Sequence, residues 1–164
     1  MNIAIIGTGY VGLVSGACFA DFGHSVVCVD SDDRRVARLL AGEIPFFEPG
    51  LAELVQRNTA AGRLRFTGDV QEAVTESVVV FLAVGTPETP GGGADLSQIA
   101  SAAHSVASAL AGYKVIVTKS TVPVGTGEWL EQQIRVQADR PVDLDIVSNP
   151  EFLREGSAIN DFMR

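Results

Sequence analysis

The stretch IAIIGTGYVG, residues 3–12, constrains the fold more than any other. A short apolar run ends in Gly7, Gly9 and Gly12, and an amphipathic segment begins at once. This is the G-x-G-x-x-G spacing between a strand and a helix. Gly7 permits the tight turn, Gly9 lets a pyrophosphate approach bare backbone, and Gly12 lets helix and strand pack closely. The unpaired N–H groups of the first helical turn would then face the phosphates. The spacing alone would also suit a plain structural turn. Its position at the head of an alternating chain points to a dinucleotide site.

The alternation runs the length of the sequence. Ile3–Ile6, Ser25–Val29, Val78–Val84, Lys114–Thr118 and Leu144–Ser148 read as strands. Each is continuously apolar rather than alternating, as parallel strands covered on both faces are. Helical stripes lie between them: Val11, Val14, Cys18 and Phe22; then Ile99, Ala103, Val106 and Leu110; then, more weakly, Trp129, Leu130 and Ile134. The fold class expected is α/β, a Rossmann-type doubly wound and mostly parallel sheet with helices on both faces. With 164 residues the chain suits one domain, spanning 1–164. A domain of this size buries roughly 70% of the surface its unfolded chain exposes.

A net charge of −8 argues against a general affinity for nucleic acid or an anionic membrane surface. It leaves room for a local phosphate site built from uncharged backbone N–H groups. No basic leader precedes the first strand, and no apolar run reaches the roughly 20 residues that span a bilayer. The two cysteines, Cys18 and Cys28, lack metal-ligand spacing and fall in apolar segments. They read as core residues of a reduced, cytoplasmic protein, and no metal site is expected. His24, in a turn, and His104, on a helix rich in alanine and serine, read as solvated or locally hydrogen-bonded.

Asp30 closes the run VVCVD, 18 residues beyond Gly12, where the dinucleotide fingerprint places an acid for the ribose hydroxyls. A 2′-phosphate there would meet a fixed carboxylate. At ~4 Å and an effective dielectric near 20, each unit of like charge costs about 4 kcal/mol before screening. That favours NAD over NADP, although Arg34 or Arg35 could rescue a 2′-phosphate. Asp30 could instead merely cap the helix that follows.

Four further stretches stand out. IPFFEPGL (44–51) has two prolines, two phenylalanines and a glycine before a helix, and does not fit a plain crossover. GTPETPGGGADLS (85–97) is a long loop whose composition suggests a mobile tip, before a helix that Asp95 or Ser97 could cap. KSTVPVGT (119–126) puts the hydroxyls of Ser120 and Thr121 at a strand end, yet also reads as a strand–helix turn with a threonine cap. SNPEFLREG (148–156) follows the last strand. Glu151 and Glu155 would share a surface if it were helical, and Phe152, Leu153 and Arg154 between them suit a polar ligand or a solvated helix start equally.

Together, GTGYVGLVSGA, PFFEPGL, FLAVGTP, KSTVPVGT and SNPEFLREGSAINDF resemble the UDP-glucose/GDP-mannose dehydrogenase family over essentially the whole chain. GTGYVGLV and KSTVPVGT look more like its UDP-glucose branch. The resemblance implies an enzyme that oxidises the C6 alcohol of UDP-glucose to UDP-glucuronate in two NAD-dependent steps, with a cysteine holding the carbon as thiohemiacetal and then thioester. It implies NAD contacts at Gly7, Gly9, Tyr10, Val11, Gly12, Asp30, Arg35, Thr86, Thr121 and Glu155. It implies catalytic roles for Thr121, near the reacting centre, and Glu151, in the hydrolytic half. Glu151, Phe152, Leu153, Arg154 and Glu155 match the family's substrate strip. A partly buried carboxylate can act as general base on water, and a hydroxyl can orient a water or a developing alkoxide.

The family's nucleophilic cysteine, catalytic lysine and aspartate, and most uridine contacts belong to its later domains. Neither Cys18 nor Cys28 matches the nucleophile's motif. The expectation is therefore a chain that binds NAD without turning over UDP-glucose alone, in a family whose full-length members are homo-oligomers. Two alternatives stay open: a relative acting on GDP-mannose or an N-acetylated UDP-sugar, and a stand-alone NAD-binding module that docks to a separate chain. A purely structural protein would leave the glycine turn and Asp30 without a ligand.

Overall fold

The computed structural model describes residues 1–138 and 141–164. Its centre is a sheet of six parallel strands: β1 (Asn2–Ile6), β2 (Ser25–Val29), β3 (Leu64–Thr67), β4 (Val79–Leu82), β5 (Lys114–Thr118) and β6 (Leu144–Ser148). Their order across the sheet is β3-β2-β1-β4-β5-β6. The chain thus builds outward from β1 through β2 to β3, then returns to start again on the other side of β1. The gap between the carboxyl ends of β1 and β4 is the switch point, where folds of this kind bind ligands.

The helices are α1 (Tyr10–Asp21), α2 (Asp33–Leu40), α3 (Leu51–Ala60), α4 (Val70–Glu76), α5 (Ser97–Ala109), α6 (Thr126–Gln137) and α7 (Ala158–Met163). They cover both faces of the sheet, which accounts for the continuous apolar runs. Successive strand residues feed opposite cores. Ile3, Ile5 and Cys28 join Leu13 of α1, Leu54 of α3 and Ala158 of α7. Ala4, Ile6 and Val29 join Val74 of α4, Ile99 of α5 and Leu130 of α6. A one-residue slip in β1 would exchange the two sets, so its register is tightly specified.

The structure refines three expectations. The fourth strand is shorter than Val78–Val84, because the chain leaves the sheet after Leu82 to form the ligand-side loop. A sixth strand, β3, lies at the edge, with Arg65 exposed between buried Leu64 and Phe66. The 85–97 loop closes on itself: Thr89 N–H donates to Gly93 O at 2.7 Å and Glu88 bridges to Ala94. Neither Asp95 nor Ser97 is the cap of α5: Leu96 is, without a side-chain bond, while Asp95 just before it accepts Ser97 N–H at 2.8 Å. No helix among the described residues is long and apolar enough to cross a membrane.

Candidate functional site

The glycine turn has the geometry its spacing requires. Gly7 sits at φ 102°, and a Cβ there would lie 2.7 Å from Ala83 O, so both backbone conformation and space exclude a side chain. A Cβ on Gly12 would lie 1.9 Å from Gly7 O, so the helix can meet the turn only through glycine. Gly9 differs. A Cβ on it would touch nothing within 4 Å, and its φ of −68° suits any residue. The fold has no need of glycine at position 9; a ligand pressing on that backbone would.

Asp30, at the end of β2, is the electrostatic centre of this half. Only 7% of the residue is exposed. Its Oδ2 accepts Thr8 N–H at 2.8 Å, the Thr8 hydroxyl at 2.6 Å and Arg35 Nη1 at 3.0 Å. Its Oδ1 accepts Asp32 N–H at 3.0 Å. Burial pushes this carboxyl up, but the donors of Thr8, Asp32 and Arg35 outweigh it and hold the group below the usual carboxylate range. Capping of α2 falls instead to Asp32, whose side chain accepts the N–H groups of Arg34 and Arg35. Asp30 is thus not the helix cap. Arg35 is drawn onto Asp30, its side chain 40% exposed.

A cleft of about 390 Å³ opens between these residues and α5, with Gly7, Gly9, Asp30, Arg35, Gln98 and Ser105 on its walls. Its residues fit a dinucleotide: backbone N–H groups at a helix start, an open approach at Gly9 and an ionised carboxylate beyond. Tyr10 and Val11 lie in the first turn of α1, half-buried. Thr8, Gln98 and Ser105 were not foreseen. Gln98 Oε1 accepts Gly85 N–H at 3.2 Å, fixing the loop after β4. Nothing in its helical surroundings signals this.

The second half lies at the carboxyl ends of β5 and β6. The Thr86 hydroxyl donates to Thr121 O at 2.9 Å, joining two of the expected residues and leaving Thr121 exposed. Ser120 Oγ donates to Val84 O at 2.6 Å, and the Thr126 hydroxyl closes the turn onto Pro123 O at 2.7 Å. Lys119, 6% exposed, donates to Asn149 Oδ1 at 3.2 Å and stands 5.4 Å from the centre of the Phe162 ring. Burial pushes its pKa down, partly opposed by Glu151.

The stretch 149–154 is not helical, so Glu151 and Glu155 do not share a helix face. Pro150, which cannot donate a helical N–H, and the turn at 155–157 keep it extended until α7. Glu151 is half-buried and its Oε2 accepts Leu153 N–H at 2.5 Å. Phe152 is 86% exposed and Glu155 is exposed, while Leu153 packs against the core. Arg154 grips Asp161 in a bidentate pair, at 3.0 and 2.6 Å.

Glu48, from IPFFEPGL, ties the two halves together. Its Oε2 accepts the Tyr10 hydroxyl at 2.6 Å and Gly156 N–H at 2.7 Å; its Oε1 accepts Ala158 N–H at 2.9 Å. The unusual stretch signalled something, but not a partner 108 residues away. Cys18 and Cys28 are buried, and burial pushes both thiols up to about 12. His104 is exposed and hydrogen-bonded to Gln137 at 2.7 Å.

The NAD binding domain of the UDP-glucose/GDP-mannose dehydrogenase family matches residues 1–164. A UDP-glucose 6-dehydrogenase of Rhizobium meliloti is 59% identical over the whole chain, and one from Bacillus subtilis is 52% identical over 99% of it. Among solved structures, a UDP-glucose dehydrogenase from Pyrobaculum islandicum superposes with a TM-score of 0.95 at 41% identity, over 99% of this chain and 38% of that one. A GDP-mannose dehydrogenase from Pseudomonas aeruginosa superposes with a TM-score of 0.94 at 36% identity, over the same shares. The chain spans 38% of the length of the Rhizobium relative and 35% of the Bacillus one.

Proposed function

The chain belongs to the UDP-glucose/GDP-mannose dehydrogenase family, as its NAD binding domain, and from that premise we propose that it is the cofactor-holding part of a dehydrogenase that oxidises the C6 alcohol of UDP-glucose to the carboxylate. NAD bound in the cleft supplies the hydride acceptor for both oxidations. The observation that carries the reading is the glycine turn itself: Gly7 and Gly12 are demanded by the fold, whereas Gly9 makes sense only with a ligand on it. In this reading the N–H groups at the start of α1 hold the pyrophosphate, with Tyr10 and Val11 beside it. Asp30 accepts the ribose hydroxyls, steadied by Thr8 and Arg35.

On the substrate side, Phe152, Leu153, Arg154 and Glu155 line the sugar nucleotide, and Glu155 also reaches the nicotinamide side. The Thr121 hydroxyl, beyond the carboxyl end of β5 where Thr86 bonds its carbonyl, orients the reacting oxygen or a water. Glu151 accepts a proton from the water of the hydrolytic step. Nucleophilic catalysis is not assigned to Cys18 or Cys28, whose thiols are buried and protonated at neutral pH. The 59% identity to a UDP-glucose 6-dehydrogenase supports UDP-glucose as the sugar nucleotide. The GDP-mannose neighbour, at a TM-score of 0.94, keeps GDP-mannose as the second reading.

Calorimetric titration of the chain with NAD⁺ and then NADP⁺ tests the cofactor assignment. Saturable binding of NAD⁺, with NADP⁺ much weaker, is the expected result; a folded chain that binds neither would overturn it. NADH formation by the longer protein, given UDP-glucose or GDP-mannose, decides the sugar nucleotide.

A further inference from the structure

Glu48 is an acid where an acid is unexpected. It is 5% exposed, and among the described residues it makes no ion pair. A buried carboxylate without a cation persists only if neutral donors satisfy it. Here they come from two distant parts of the chain: the Tyr10 hydroxyl, and the N–H groups of Gly156, Ala158 and Ile159. Tyr10 opens α1 directly after the glycine turn, and Gly156 directly follows the 152–155 strip.

These donors share one negative charge, and Tyr10 and Gly156 share one oxygen. Withdrawal of one donor throws more of that charge on the others. A displacement at Tyr10 is therefore felt at Ala158, with which its hydroxyl has no hydrogen bond among the described residues, as well as at the Arg154–Gly156 backbone, which that hydroxyl meets directly, Arg154 O at 3.4 Å. Hydride transfer requires cofactor and alcohol to be held in fixed relative geometry, and small misplacements lower the rate steeply. The Glu48 carboxylate sits where that relative position is determined.

We infer that Glu48 is a positioning residue whose carboxylate clamps Tyr10 of the cofactor side to the Gly156–Ala158 backbone of the substrate side, keeping the two in register and passing a change at one to the other. The functional part of this inference rests on the reading given under Proposed function. A plain cap for α7 would need Gly156 and Ala158 alone; the tyrosine bond is what makes it a clamp.

Amide resonances of the ¹⁵N-labelled chain test it. Glu48→Gln offers a single neutral oxygen to all of these donors. The Gly156 and Ala158 amide protons should move upfield and exchange about tenfold faster or more. Tyr10→Phe removes one donor and no charge, and should move the same two resonances the other way, downfield. Added NAD⁺ should shift the Ala158 amide in the wild-type chain and not in Glu48→Gln. An unmoved Ala158 resonance in Tyr10→Phe, or unchanged exchange in Glu48→Gln, would overturn the clamp; Ala158 in Tyr10→Phe alone decides if Glu48→Gln does not fold. If the wild-type chain binds no NAD⁺, the proposed function falls. The NAD-free comparison of the two variants still decides the clamp.

Discussion

Arg35 donates to Oδ2 of Asp30 at 3.0 Å, the same oxygen that Thr8 holds with both its N–H and its hydroxyl. The guanidinium that could have received a 2′-phosphate is committed to the carboxylate that would repel one. On the proposed function, the preference for NAD would rest on this pair rather than on a single residue.

Asp30→Asn removes the charge and keeps the shape. Charge-assisted hydrogen bonds to hydroxyls contribute about 1.5–3 kcal/mol, so NAD⁺ affinity should fall about 10- to 100-fold. Repulsion of a 2′-phosphate disappears at the same time and Arg35 is released. NADP⁺ should bind more tightly than it does to the wild-type chain. Calorimetry with both cofactors reads the change; a preference left unaltered would exclude Asp30 from cofactor selection.

Gly9 and Gly12 should separate in their effects. Gly12→Ala drives a methyl into Gly7 O, an overpacking that costs about 1–3 kcal/mol or more. Gly9→Ala meets no neighbour, and its backbone angle suits alanine, so stability should hold within about 1 kcal/mol. Yet NAD⁺ binding should weaken at least about tenfold, since a methyl would stand where the pyrophosphate approaches. Urea unfolding and calorimetry on the two variants give the comparison.

Much of this was legible from sequence. β2 and β5 begin and end where their apolar runs do, because strands buried on both faces leave no polar interruption to blur them; β6 keeps its expected bounds although it is an edge strand with Asp145 exposed. β3 escaped notice because an edge strand of four residues, with Arg65 facing solvent, is too short for its alternation to register. Asp30 was legible because a strand end and a fixed offset locate it. Thr8 was not, since it occupies a free position of the glycine pattern, and its two bonds exist only once β1 and β2 lie side by side. Glu48 showed only that its stretch was odd. Its meaning depends on Gly156 and Ala158, and no local rule connects residues so far apart.

Lys119→Met should leave stability unchanged or raise it. The buried ammonium gains a charge-assisted hydrogen bond to Asn149, about 1.5–3 kcal/mol, and its place on the Phe162 ring, about 0.5–2 kcal/mol. Taking a cation out of water costs several kcal/mol, and methionine fills similar space without that penalty. The shift in the urea midpoint measures it. A loss above about 2 kcal/mol would mean that the ammonium is better compensated than these two contacts allow.

Asp161 provides a pH signature. The guanidinium and N–H of Arg154 lower its carboxyl to about 2. A group lowered on folding contributes stability that is complete above the unfolded value, near 3.9, and is lost as pH falls through the folded one. The pair should therefore weaken between about pH 4 and pH 2. Carbon-13 titration of the side chain should give a midpoint of about 2, and Arg154→Ala should raise it part of the way, because the Arg154 N–H remains.

The strand order has a further consequence, for how the protein emerges from the ribosome. β2 pairs with β1, β3 with β2, β4 with β1, β5 with β4 and β6 with β5. Each strand, as it is synthesised, finds its partner already made. The sheet can grow in step with translation, at about 5–20 residues per second, with no strand waiting for a later one to seat it. The second edge of β1 stays unpaired while β2 and β3 are added, and is covered when Val79 arrives.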